Sequence, residues 1–94
     1  MKLRLANKEI RIRLNKEEMK LLGAETLLFE HPLVQLSVKT DDSFQFEQVG
    51  NSFNISIAKA DFDLLHEGIS KEISVNGSPL LLVVEEDWKS RKKG

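Results

Sequence analysis

Two stretches of this chain carry the same pattern of apolar and polar positions. Ile10-Arg11-Ile12-Arg13-Leu14 alternates, and Lys16, Glu18, Met19, Leu21 and Leu22 then follow at helical spacing. Phe53-Asn54-Ile55-Ser56-Ile57 alternates likewise, and Lys59, Asp61, Phe62, Leu64 and Leu65 follow, each 43 residues after its counterpart. A period of 2 giving way to one near 3.6 predicts a half-buried strand running into a short helix.

The rest of the chain fits around these stretches. Lys2 to Ala6 alternates, and Asn7-Lys8 predicts a two-residue hairpin loop before the strand Glu9 to Leu14. Register then follows: Leu3 faces Ile12 and Leu5 faces Ile10 on the buried side. Lys2 faces Arg13 and Arg4 faces Arg11 on the other, so four cations share one face. Asn15 caps the first helix, with Glu18 completing a capping box, and Gly23 stands where the helix should stop. Strands are predicted over Thr26 to Glu30 and Leu33 to Lys39, with a turn at His31-Pro32 and a polar turn from Thr40 to Ser43.

The second half predicts strands over Phe44 to Val49 and Ser52 to Ile57 around a Gly50-Asn51 turn. A helix from Lys59 to His66 follows, less well capped because Ala58 replaces the Asn. Lys71 to Val75 and Ser78 to Glu85 flank Asn76-Gly77, the strongest hairpin signal in the chain. Across this hairpin the offset between the halves becomes 46, which assigns three extra residues to the loop after the second helix.

The expected fold is α+β, with internally duplicated strand-strand-helix-strand-strand units over residues 1–40 and 44–86. They should form a small antiparallel eight-stranded barrel or two packed sheets with two short helices, about a pseudo-two-fold axis. The competing arrangement is one open sheet with both helices on a single face. Residues 1–88 are read as one domain, and 89–94 as a charged C-terminal tail.

Composition narrows the function classes. At 94 residues, 40% hydrophobic and 31% charged, the chain has the make-up of one folded domain. With no cysteine, disulfides, thiol catalysis and Cys-ligated zinc are excluded. The longest apolar run, Leu80 to Val84, is too short for a membrane span, and a cytoplasmic setting is expected. A net charge of -1 supplies no drive towards nucleic acid, and no aromatic residues interleave with the hairpin cations.

Met1-Lys2-Leu3-Arg4-Leu5, Ile10-Arg11-Ile12-Arg13-Leu14 with Lys16-Glu17-Glu18-Met19, and the acidic-aromatic Val84-Glu85-Glu86-Asp87-Trp88 carry a resemblance. They resemble a family of small bacterial proteins that open with Lys-Ile-Arg-Ile and Ile-Arg-Leu-Arg-Leu strands. The basic end, Lys89 to Lys93, departs from the acidic tail of that family. The resemblance brings no activity, cofactor or site residue with it.

Candidate chemistry is sparse. His31 beside a proline and His66 near a helix end lack a second ligand at metal-binding spacing, and read as turn and helix-end residues. Asp41-Asp42 and Asp61/Asp63 lack the ligand spacing of a calcium loop. No phosphate loop or nucleophile motif is present, so neither catalysis nor a cofactor or metal is expected.

Two features remain. Lys2, Arg4, Arg11 and Arg13 correspond to Gln45, Glu47, Asn54 and Ser56 in the second half, so the fold itself does not demand cations there. They are read as a face for an acidic protein or small anion, against a solvated face neutralised by Glu9 or by an acid of an adjacent strand. Leu81 and Val83 put apolar side chains on the face opposite Leu80, Leu82 and Val84, where the first half has Gln35 and Ser37. A helix of the same chain, or a second copy in a homodimer, is expected to cover them. The preferred function is a non-enzymatic binding module. The alternative is an enzyme or sensor holding a small anion at a barrel mouth.

Overall fold

The computed structural model describes residues 1–87; Trp88 and the predicted tail 89–94 lie outside them. The element order is β1 (Lys2–Ala6), β2 (Glu9–Leu14), α1 (Lys16–Leu22), β3 (Leu27–Glu30) and β4 (Gln35–Asp41). It continues with β5 (Gln45–Val49), β6 (Ser52–Ala58), a 3-10 helix (Lys59–His66), β7 (Ile69–Val75) and β8 (Ser78–Glu86). The fold is α+β, and no described helix is long and apolar enough to cross a membrane.

Among the described residues the strands form two four-stranded sheets, β1-β2-β8-β7 and β3-β4-β6-β5, and no closed barrel. Pairing is mostly antiparallel, as expected, but the sheets are mixed. Each sheet has a parallel pair at its centre, β2 with β8 and β4 with β6, between antiparallel outer pairs. The cause lies in what alternation encodes. It assigns each residue to a face, whereas the neighbour of a hairpin's inner strand comes from distant sequence. The unbroken apolar run of β8 is the composition of a central strand covered on both faces, and a parallel neighbour suits it.

Chain segments are shared between two compact units. One comprises Met1–Met19 and the described residues from Asp63 onward, and holds the first sheet. The other is Lys20–Phe62 and holds the second. Ile10, Ile12, Leu14, Ile69, Ile73, Leu82 and Val84 are buried in the first unit, and Leu27, Leu36, Val38, Ile55 and Ile57 in the second. Each such side chain stabilises the fold by about 1.5–3 kcal/mol relative to exposure.

The β1–β2 register is the one expected from a two-residue loop: Lys2 with Arg13, Leu3 with Ile12, Arg4 with Arg11 and Leu5 with Ile10. The β5–β6 register carries the same offset of 43, pairing Gln45 with Ser56 and Glu47 with Asn54. The parallel pairs agree as well, Glu9 meeting Leu81 where Ser52 meets Gln35. The extra residues of the second half, however, are not in the loop after its helix. Only Glu67 and Gly68 separate that helix from β7, whereas four residues separate α1 from β3. The length goes into the hairpin: β7 and β8 extend to Val75 and Ser78 around Asn76-Gly77, both at positive φ. The turn after β3 instead opens at His31 and closes by reciprocal backbone bonds between His31 and Val34.

The helices differ as their caps do. Asn15 Oδ1 accepts from the Glu18 amide at 2.8 Å, and Glu18 Oε1 accepts from the Asn15 amide at 3.0 Å, closing the capping box. That helix is α; its less well capped counterpart at Lys59–His66 winds as 3-10. Helix α1 stops at Leu22, just before Gly23, and does so without a left-handed φ at that glycine. The Leu21 carbonyl instead accepts from the amides of Ala24 and Glu25 at 2.9 and 2.8 Å.

Candidate functional site

The four hairpin cations fall on the outward face of the first sheet, and their neighbours decide what they can do. β8 lies beside β2, so register brings Glu85 alongside Arg13 and Val83 alongside Arg11. Arg11 Nη1 donates to both oxygens of Glu85, at 2.8 and 3.1 Å, and Arg11 Nη2 reaches Glu9 Oε1 at 3.4 Å. Arg13 Nε donates to Glu85 Oε2 at 3.2 Å. Lys2 Nζ lies 3.1 Å from Asp87 Oδ2. The Glu85 hydrogen bond, and then that of Glu9, hold the Arg11 guanidinium above the usual arginine range. Three of the four cations are therefore engaged by carboxylates.

Arg4 is the exception. It is exposed, stands directly opposite Arg11, and has no side-chain partner among the described residues. Like charges at opposed positions destabilise a sheet. Here Glu85 and Glu9 compensate the Arg11 member of the pair.

Leu81 and Val83 separate. Val83 is 6% exposed, between Arg11 on β2 and Ser70 on β7, with Leu81 and Glu85 two residues away along β8. Long arginine stems on such a face cover apolar surface while their heads reach acids. Leu81, one row further along, remains 36% exposed.

Both histidines occupy structural positions. The His31 ring stacks on Phe29, and its Nδ1 accepts from the Leu33 amide at 3.0 Å, which fixes the turn. His66 Nδ1 lies 2.5 Å from Oε1 of the buried Glu86. No three His, Cys, Asp or Glu among the described residues gather as a metal site would require.

The second sheet presents a different outward face. Where the first has Arg11, Arg13 and Glu85, the matching positions carry Asn54, Ser56 and Lys39. Short side chains leave room, and two concavities that share Ser37 and Asn54 occupy it. One, of about 350 Å³, also takes in Ser56, Lys39, Gln45 and Glu47. The other, of about 110 Å³, extends towards Leu28 and Gln35. A third, of about 260 Å³, adjoins Thr26 and Lys39. None of these three is lined by Lys2, Arg4, Arg11 or Arg13. Sequence reasoning used Gln45, Glu47, Asn54 and Ser56 only as a control for the cations. The signal that could have found this face was their shortness, taken with Ser37 in the place of Val83.

No family model, curated protein or solved structure matches this chain.

Proposed function

We propose that this protein is a small non-catalytic binding module of the cytoplasm that takes a carboxylate of an acidic partner at Arg4, beside Arg11. The observation that carries this reading is the unequal state of two opposed arginines. Arg11 is held by Glu85 and Glu9, while Arg4 is exposed and without a side-chain partner among the described residues. A guanidinium offers a fork of donors that matches a carboxylate, and at Arg4 that fork is not already taken by an acid among the described residues. Lys2, Arg11 and Arg13 are all engaged by carboxylates, so the site narrows from four cations to Arg4. The enzyme alternative needed a barrel mouth and loses its setting with the barrel.

The same reading includes the architecture: the chain is a duplicated unit whose second copy does not share the cationic role. The common offset in the β1–β2 and β5–β6 registers supports the duplication. The neutral Asn54 and Ser56 support the divergence.

The test is a nuclear magnetic resonance titration of the intact protein with a glutamate hexapeptide at low ionic strength. Saturable shifts centred on β1 and β2, weakened by added salt, are expected. Shifts that do not saturate, or that gather away from β1 and β2, would remove the reading.

A further inference from the structure

We infer that the outward face of the β3-β4-β6-β5 sheet is a binding groove for an uncharged, hydroxyl-rich ligand of saccharide type. The groove is the pair of adjoining concavities of about 350 and 110 Å³ that share Ser37 and Asn54. Its floor consists of groups that both donate and accept. Ser37 Oγ donates to Asn54 Oδ1 at 2.7 Å, which orients the amide and leaves its NH2 group free of protein side-chain partners among the described residues. The Gln45 amide and the Ser56 hydroxyl likewise have no side-chain partner there, although Ser56 is only 6% exposed. No fully buried polar side-chain atom is left unpaired among the described residues, so the Ser56 hydroxyl is met from the groove.

The contrast with the first sheet separates a groove from an ordinary solvated face. At matching positions, Arg11, Arg13 and Glu85 fill the space and satisfy one another. On the second sheet the space is open and the polar groups are not used up. Charge narrows the ligand class: Lys39 is paired with Asp41 at 3.9 Å, and Glu47 and Glu30 also line the concavities, so the groove disfavours an anion while its carboxylates can accept from the hydroxyls of an uncharged ligand. Neighbouring strands are spaced about 4.8 Å apart, which sets rows of donors and acceptors on a scale that ring hydroxyls can match. Leu28, 67% exposed beside the smaller concavity, gives the C–H face of a ring an apolar surface. Concave sites with a few convergent polar groups and an apolar wall are the usual form of small-molecule sites.

The experiment is a titration of the intact, isotope-labelled protein, observed by backbone amide shifts. The probes are maltotriose, cellotriose, mannobiose and chitobiose, with inorganic phosphate and a glutamate hexapeptide as charged rivals. At least one saccharide is expected to give saturable shifts on β4, β5 and β6 with a Kd of about 1 mM or tighter. Asn54→Arg copies the first sheet and fills the groove, and is expected to weaken that binding about tenfold or more. Ser56→Ala, a smaller change, is the second variant should the arginine disturb folding, and is expected to weaken it as well. The inference is overturned if no saccharide gives saturable shifts on these strands, if the charged rivals bind there as well as the saccharides, or if a folded variant binds undiminished. Shifts confined to β1 and β2 with the peptide bear on the acidic-partner reading alone.

Discussion

Arg11 and Glu85 stand 74 positions apart in the chain, yet Arg11 Nη1 donates to both oxygens of the Glu85 carboxylate, at 2.8 and 3.1 Å. The contact joins β2 to β8, the parallel pair at the centre of the first sheet. It also orders Arg13, which donates to the same carboxylate.

Arg11 is therefore a structural residue. Arg11→Gln is expected to lower stability by about 1–2 kcal/mol, because Glu85 loses its two-point partner at a half-buried position. Glu85→Gln should do the same, with the paired substitutions coupling in a double-mutant cycle read by chemical denaturation. Because the pair raises the Arg11 pKa, its stabilisation is present below the usual arginine value and lost only at more alkaline pH. Added salt should shrink the coupling.

Much of this first sheet is legible in the sequence. Alternation and a two-residue loop set the β1–β2 register, including the meeting of Arg4 with Arg11. The capping box at Asn15 and Glu18 was readable because both partners lie within one helical turn. The partner strand was not readable. Nothing local to β2 points to β8, so Glu85 stayed hidden, and with it the pairing that separates Arg11 from Arg4. The groove on the second sheet was illegible for a related reason: a concavity depends on which short side chains become neighbours across strands, and two of its strands meet in parallel.

Lys8 holds a φ of 64°, a left-handed conformation that disfavours a side chain, and its carbonyl accepts from the Leu81 amide. Lys8→Gly keeps that carbonyl in place and removes the clash of Cβ with the backbone. A gain of up to about 1 kcal/mol is expected in thermal or denaturant unfolding.

The two ends of α1 should respond oppositely. Asn15→Ala removes a capping acceptor and is expected to lose about 1 kcal/mol. Gly23→Ala meets open space at a position without positive φ, and should be neutral or stabilising by up to about 1 kcal/mol. Melting of both variants under the same conditions checks the pair.

Val83 and Leu81 make a second contrast on one face. Val83→Ala removes buried methyl groups and should lose about 1–2 kcal/mol. Leu81→Lys changes a residue that is 36% exposed, and should lose less in the isolated chain. A Leu81→Lys loss as large as that of Val83→Ala, with a fall in solution mass, would instead place Leu81 in an interface between two copies.

The most direct test of the central claim compares Arg4→Gln with Arg11→Gln side by side, for unfolding free energy and for glutamate-hexapeptide affinity. The account predicts that Arg4→Gln leaves stability within about 0.5 kcal/mol of the parent, or raises it, and abolishes saturable binding. It predicts that Arg11→Gln lowers stability by about 1–2 kcal/mol. An Arg4→Gln protein that binds the peptide as the parent does, or that is destabilised as much as Arg11→Gln, would contradict it.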